Sequence, residues 1–138
     1  MLLLTMPDYW MGRDKQFAGD LKPFIAANAR ELVRRVNELL QEFYSAMPQA
    51  IDRTVNSGWR PPAVNAGVRN AARTSAHLTG EAVDLSDDDE VLDAWINSPA
   101  GLDALVRCDL YAEHRDYTPR WAHLQTRKVL SGRRVFVP

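Results

Sequence analysis

One stretch of this chain carries a long amphipathic period. Between Ala26 and Met47 the apolar residues Leu32, Val36, Leu39, Leu40 and Phe43 recur at helical spacing, with Arg34, Arg35, Glu38 and Glu42 between them. The pattern predicts a long helix over 26–47 with one face in a core. Pro48 ends it, and no later segment runs as long.

The remainder divides into short pieces. Residues 1–24 mix aromatics, Gly and Pro without a period, which predicts an ordered arm packed on the domain. Asp52 to Asn56 suits a short strand leading into the turn Ser57-Gly58-Trp59-Arg60, and Pro61 and Pro62 suit the first turn of a short helix through Val64 and Val68. The stretch up to Thr74 reads as loop, and Glu81 to Leu85 as a small strand. Asp87, Asp88 and Asp89 precede Val91, Leu92, Trp95 and Ile96, the charge order of a helix N-terminus; they lack the alternating ligands and glycine of an EF-hand. Pro99 breaks that helix, and Gly101 to Val106 can start another. Two strands follow, Asp109 to Glu113 and Arg120 to Gln125, and a Ser131-Gly132 turn leads into Val135, Phe136 and Val137. Helices and an antiparallel sheet in separate stretches give an α+β domain.

With 138 residues, 46% of them hydrophobic, the chain suffices for one domain with a real core. Lys plus Arg (17) nearly balances Asp plus Glu (18), which provides no general electrostatic footprint for nucleic acid or an anionic membrane. The single cysteine, Cys108, excludes an intrachain disulfide and reads as a half-buried structural thiol. MLLLTMP is too short an apolar run for a secretory signal, and nothing approaches a membrane span. Synthesis in a cytosol, without an export route of its own, is the expectation.

Two of the three histidines lie in short segments with an unusual grouping of residue types: Ser75-Ala76-His77-Leu78-Thr79-Gly80-Glu81-Ala82-Val83-Asp84, and Trp121-Ala122-His123. Two imidazoles and a carboxylate are ligands that hold a catalytic Zn²⁺ while leaving a position for water. Gly80 permits a tight bend between His77 and Asp84, so a loop His and a strand Asp can converge if a neighbouring strand supplies His123. In a hairpin of the strands around 111 and 123, Tyr111, Glu113, Trp121 and His123 share a face, with Glu113 diagonal to His123. Each residue also has a structural reading: a hydrogen-bonded core histidine, or an aspartate that caps or pairs. Residue chemistry alone leaves a metal site and scattered polar residues about level. His114, adjacent to Glu113, faces the other way, while Trp59 and Trp121 suit either a groove wall or core packing.

SGWRPPAVNAGVRNAARTSAHLTGEAVDL followed by WAHLQ resembles the pattern SGxR, then SxHxxGxAxD, then a strand bearing WxH, found in the zinc D-Ala-D-Ala carboxypeptidases and peptidoglycan endopeptidases of peptidase family M15. The likeness covers roughly residues 53–125. It implies a hedgehog/DD-peptidase-like fold, with His77, Asp84 and His123 as zinc ligands, Arg60 on the substrate carbonyl or developing oxyanion, and Ser75 hydrogen-bonded near the metal. The implied activity is hydrolysis of a peptide bond in peptidoglycan stem or cross-link peptides, by a phage-type member that acts on the cell wall or within a virion.

The chain departs from that pattern at the proton-transfer group. Arg120 stands where many members place Glu, three residues before the last His, and Gln125 stands where other branches have an acid. Glu113 is the leading candidate for the base through the hairpin geometry, and Asp116 in the connecting loop is second. The competing reading is a non-enzymatic structural or binding component of a phage virion, with virion proteins as partners, that retains the zinc site. A metal-free α+β domain with a chance likeness is the third.

Overall fold

The computed structural model describes residues 1–138 and builds a sheet against one dominant helix. That helix, α3 (Pro23–Ala46), starts before the apolar period does because Pro23 occupies the first turn, where its missing N–H costs nothing. Leu32, Val36, Leu39, Leu40 and Phe43 are fully buried along one stripe. Each such side chain contributes about 1.5–3 kcal/mol relative to leaving it in water.

Five short strands form the sheet: β1 (Val55–Ser57), β2 (Ala82–Ser86), β3 (Tyr111–Glu113), β4 (Trp121–Gln125) and β5 (Val135–Phe136), in spatial order β1-β2-β4-β3-β5. The architecture is α+β, as expected. The sheet is mixed rather than wholly antiparallel, because β5 runs parallel to β3. The reason is topological: β2 and β3 already occupy both sides of β4. The chain leaving β4 must therefore pass over β3, and on returning it runs in the direction of β3.

Alternation divides the sheet into two unlike faces. Val83, Leu85, Ala112, Ala122 and Leu124 join the core with the stripe of α3. The intervening residues Asp84, Glu113, Trp121, His123 and Gln125 turn to the opposite face, where they line an open groove.

The arm is ordered, but it is helical rather than irregular. It contains α1 (Met6–Trp10), closed by a capping box between Thr5 and Asp8, and α2 (Arg13–Gln16). Helices this short cannot display a period. Tyr9 and Trp10 are buried, the Tyr9 hydroxyl donates to the Ala82 carbonyl at 3.1 Å, and the Asn37 side chain bonds both the N–H and the C=O of Leu4.

Pro62 begins α4 (Pro62–Ala66), which stops before Val68. The acidic run caps α5 (Val91–Ile96), chiefly through Asp87, whose two carboxylate oxygens each accept an N–H, from Leu92 and from Asp93, at 2.9 Å. Asp87 also lies 3.3 Å from Arg53, a fully buried guanidinium that reaches Asp89 at 2.8 Å. Pro99 separates two helices by starting the second, α6 (Pro99–Arg107), under a Ser98 cap. Cys108 is buried rather than half-buried. No helix is long and apolar enough to cross a membrane.

Candidate metal centre

His77 sits in a 3-10 turn, Ala76–Thr79, whose first residues are tied by Ser75: its Oγ accepts the His77 N–H at 3.3 Å. Gly80 closes the turn with a φ of 73°, a left-handed conformation natural to glycine, and a Cβ there would come within 2.7 Å of the Ile25 carbonyl oxygen on α3. The turn is thus pressed onto the long helix. His77 Nδ1 lies 2.8 Å from the Gly58 carbonyl oxygen. A carbonyl only accepts, so Nδ1 carries the proton and Nε2 offers its lone pair toward Asp84 Oδ1, 3.3 Å away.

Asp84 and His123 occupy the middles of β2 and β4 and are direct cross-strand partners. His123 Nδ1 is 2.8 Å from Asp84 Oδ1. On its far side His123 Nε2 meets Gln125 Oε1 at 2.8 Å. The structure therefore joins the three predicted ligands: one donor atom from each falls within 4.8 Å of the others, and all three residues are largely buried. Two imidazole nitrogens and a carboxylate oxygen are a zinc donor set. A tetrahedron with bonds of about 2.05 Å has edges of roughly 3.3 Å. The His77–Asp84 separation matches that edge, and the His123–Asp84 contact would have to open by about half an ångström.

Arg60 holds the second oxygen of the carboxylate, donating from Nη2 to Asp84 Oδ2 at 3.1 Å and from Nε to Ser57 Oγ at 3.1 Å. Neither bond uses Nη1, which leaves that donor for a ligand. Burial would raise the Asp84 carboxyl, but the imidazoles of His123 and His77 beside it outweigh that effect and its pKa falls. Burial lowers His77 more than Asp84 raises it, so His77 favours the neutral form. For His123 burial is outweighed by Asp84, with Glu113 and Gln125 adding, and its pKa rises.

Glu113 reaches the same face. Tyr111 pairs with Gln125 and Ala112 with Leu124, so continuing the register sets Glu113 across from His123 rather than diagonal to it. Burial raises its pKa; His123 opposes the shift, Asp84 adds to it and Arg60 opposes it. A half-buried carboxyl with an elevated pKa is suited to taking and returning a proton. Asp116, the second candidate, is exposed, lies outside the groove and takes part in a local turn in which its N–H donates to His114 Nδ1. Arg120 extends along the surface to Asp88, 3.5 Å away, and does not line the groove.

The groove, of about 610 Å³, is lined by Arg60, Ser75, His77, Asp84, Glu113 and His123 together with Arg69, Tyr117, Trp121, Gln125, Arg127 and Phe136. Trp121 is a groove wall. Trp59 is core, fully buried with its indole N–H on the Leu78 carbonyl. Sequence reasoning missed the Gly58 carbonyl, Ser57, Phe136 and the inward role of Gln125. Of these only Gln125 had a readable signal, since it alternates with His123 on one strand and must share its face. Phe136 arrives through the parallel β5 and sets its ring edge-on to His123, at 6.4 Å between centroids. Comparison of the chain with known protein families, curated proteins and solved structures gave no match.

Proposed function

We propose that this protein is a zinc-dependent peptidase that hydrolyses a peptide bond in the stem or cross-link peptides of bacterial peptidoglycan. One observation carries the reading: His77, Asp84 and His123, drawn from a turn and two strands, present donor atoms within 4.8 Å of one another on the floor of an open groove. The resemblance of the SGWR, SAHLTGEAVD and WAH segments to peptidase family M15 supplies the substrate class, including its phage-borne members as the source.

A Zn²⁺ ion held by His77 Nε2, Asp84 Oδ1 and His123 Nδ1 supplies Lewis acidity for the scissile carbonyl and a lowered pKa for water. The chain's own groups do the rest. Arg60, fixed by Ser57 and Asp84, directs its free guanidinium donor at negative charge developing on the carbonyl oxygen. Glu113 accepts a proton from the attacking water and returns it to the leaving amine. Ser75 holds the His77 turn in place.

The test is digestion of purified peptidoglycan with mass analysis of the products. Zinc-loaded wild type is expected to release peptide fragments, and His77→Ala to release none. Zinc binding without any cleavage would reject the peptidase reading and favour a virion structural or binding component that retains the ion. Absence of zinc from the purified protein, with no effect of His77→Ala on stability, would reject both.

A further inference from the structure

Gln125 lies on β4 two residues beyond His123, is 8% exposed, and falls outside the three expected metal ligands. Its carboxamide is held at both ends. Nε2 donates to the Arg127 carbonyl oxygen at 2.9 Å, and Oε1 meets His123 Nε2 at 2.8 Å. Flipping the amide would set its oxygen against the Arg127 carbonyl oxygen, two acceptors facing each other, so only one orientation is stable. Arg127 is itself anchored, through Nη2, on Thr79 Oγ1 at 2.8 Å and on Glu81 Oε1 at 3.2 Å. The acceptor presented to His123 is therefore positioned from two segments, the end of β4 and residues 79–81.

We propose that Gln125 is a positioning residue that holds a proton on His123 Nε2 and so leaves Nδ1 as the nitrogen offered to a metal ion; this rests on the zinc reading above. In the neutral His123 ring that a metal ion requires there is one proton, and two demands compete for it. The Asp84 carboxylate, 2.8 Å from Nδ1, attracts a proton to that nitrogen, and a protonated Nδ1 cannot ligate. Gln125 favours the alternative, with the proton on Nε2. Gly58 performs the equivalent task for His77, but from the main chain and on the other ring nitrogen, so His77 ligates through Nε2 and His123 through Nδ1. An outer hydrogen bond of this kind fixes ring orientation and ligand basicity, and its loss costs 10–100-fold in metal affinity. A neutral amide performs this without adding a third negative charge beside Asp84 and Glu113.

The experiment uses the full chain with ¹⁵N-labelled histidine, loaded with Zn²⁺, comparing wild type, Gln125→Met and Gln125→Glu. Zinc affinity is measured against a competing chelator, imidazole ¹⁵N shifts report each ring nitrogen, and circular dichroism checks the fold. Wild type is expected to show His123 protonated at Nε2 and ligated at Nδ1. Gln125→Met, similar in volume but lacking the acceptor, is expected to bind zinc about 10–100-fold more weakly and to lose that ¹⁵N pattern. Gln125→Glu is expected to restore both. Unchanged affinity and ring pattern in folded Gln125→Met would overturn the proposal while leaving the zinc reading intact. Failure of wild type to bind zinc would overturn both. If Gln125→Met does not fold, loss of the Nε2 proton in Gln125→Glu is the overturning result.

Discussion

Gly58→Ala tests whether the arm, the first strand and the candidate metal site form one mechanical unit. A Cβ at residue 58 would lie 2.0 Å from the Tyr9 carbonyl oxygen and 2.9 Å from its carbonyl carbon, against the 3.0 Å below which real Cβ contacts essentially never fall. Both nearest atoms are backbone, so no side-chain rotation relieves the clash. The required opening from 2.0 Å to at least 3.0 Å is a shift of about 1 Å between α1 and the end of β1, with an overpacking cost of about 1–3 kcal/mol. The same residue's carbonyl holds His77 Nδ1 at 2.8 Å. Moving it away by a comparable distance breaks that bond and leaves a buried donor unsatisfied, a further cost of about 1–3 kcal/mol. Together these predict a loss of roughly 2–6 kcal/mol, which for a domain of this size lowers the unfolding midpoint by roughly 6–18 °C. Thermal unfolding by circular dichroism is the assay. Gly19→Ala, where an added Cβ meets nothing within 4 Å, is the control. Zinc affinity should fall alongside stability in Gly58→Ala. If that variant melts with the control and binds zinc like wild type, the steric argument and the role of the Gly58 carbonyl are both wrong.

Glu113→Gln is expected to lower peptidoglycan hydrolysis by about 10²–10⁴-fold while keeping zinc bound. Because burial raises the Glu113 pKa in the folded protein, its ionisation costs stability as pH climbs from the unfolded value through the folded one. The metal-free Gln variant should therefore melt above wild type at neutral pH, and a lower midpoint would contradict the assignment. Asp84 has the opposite sign: its folded pKa is depressed, so its stabilisation is present above the ordinary carboxylate value and is lost as pH falls through the folded one. Acid titration of the metal-free protein should show that loss, and Asp84→Asn should flatten the curve. Asp87→Ala removes the cap of α5 and leaves buried Arg53 with Asp89 as its remaining carboxylate partner. A cost of about 3–5 kcal/mol is expected in urea unfolding, and a cost under about 1 kcal/mol, the range of surface ion pairs, would show that the buried pair is unimportant.

The features readable in advance were those set by local chemistry. The long helix announced itself because its apolar stripe repeats over several turns, and the acidic run before Val91 because helix N-termini attract carboxylates. Ala82–Ser86, Tyr111–Glu113 and Trp121–Gln125 were located because alternation and Gly or Pro punctuation survive even in short strands. The arm's helices were not readable, since a capping box on five residues produces no period. The parallel placement of β5 was hidden for another reason: two paired residues do not encode which strand they join. Arg53 had no signal at all. Its burial follows from Phe43 beneath the guanidinium and Asp87 beside it, neighbours brought together only by folding.

The candidate site divides along the same line. The amino-acid sequence determined which ligand types are available and, through the period of two, that His123 and Gln125 share a face. It also determined that Arg120 cannot supply a base. Tertiary structure decided the pairing of Asp84 with His123, the placement of Glu113 rather than Asp116 in the groove, and the carbonyl that orients His77. Residue type and alternation are properties of a chain with only its neighbours for company. Cross-strand register and the choice of hydrogen-bond partner depend on where the buried faces of β2, β4 and α3 come to rest against one another, and that is settled by packing a single core.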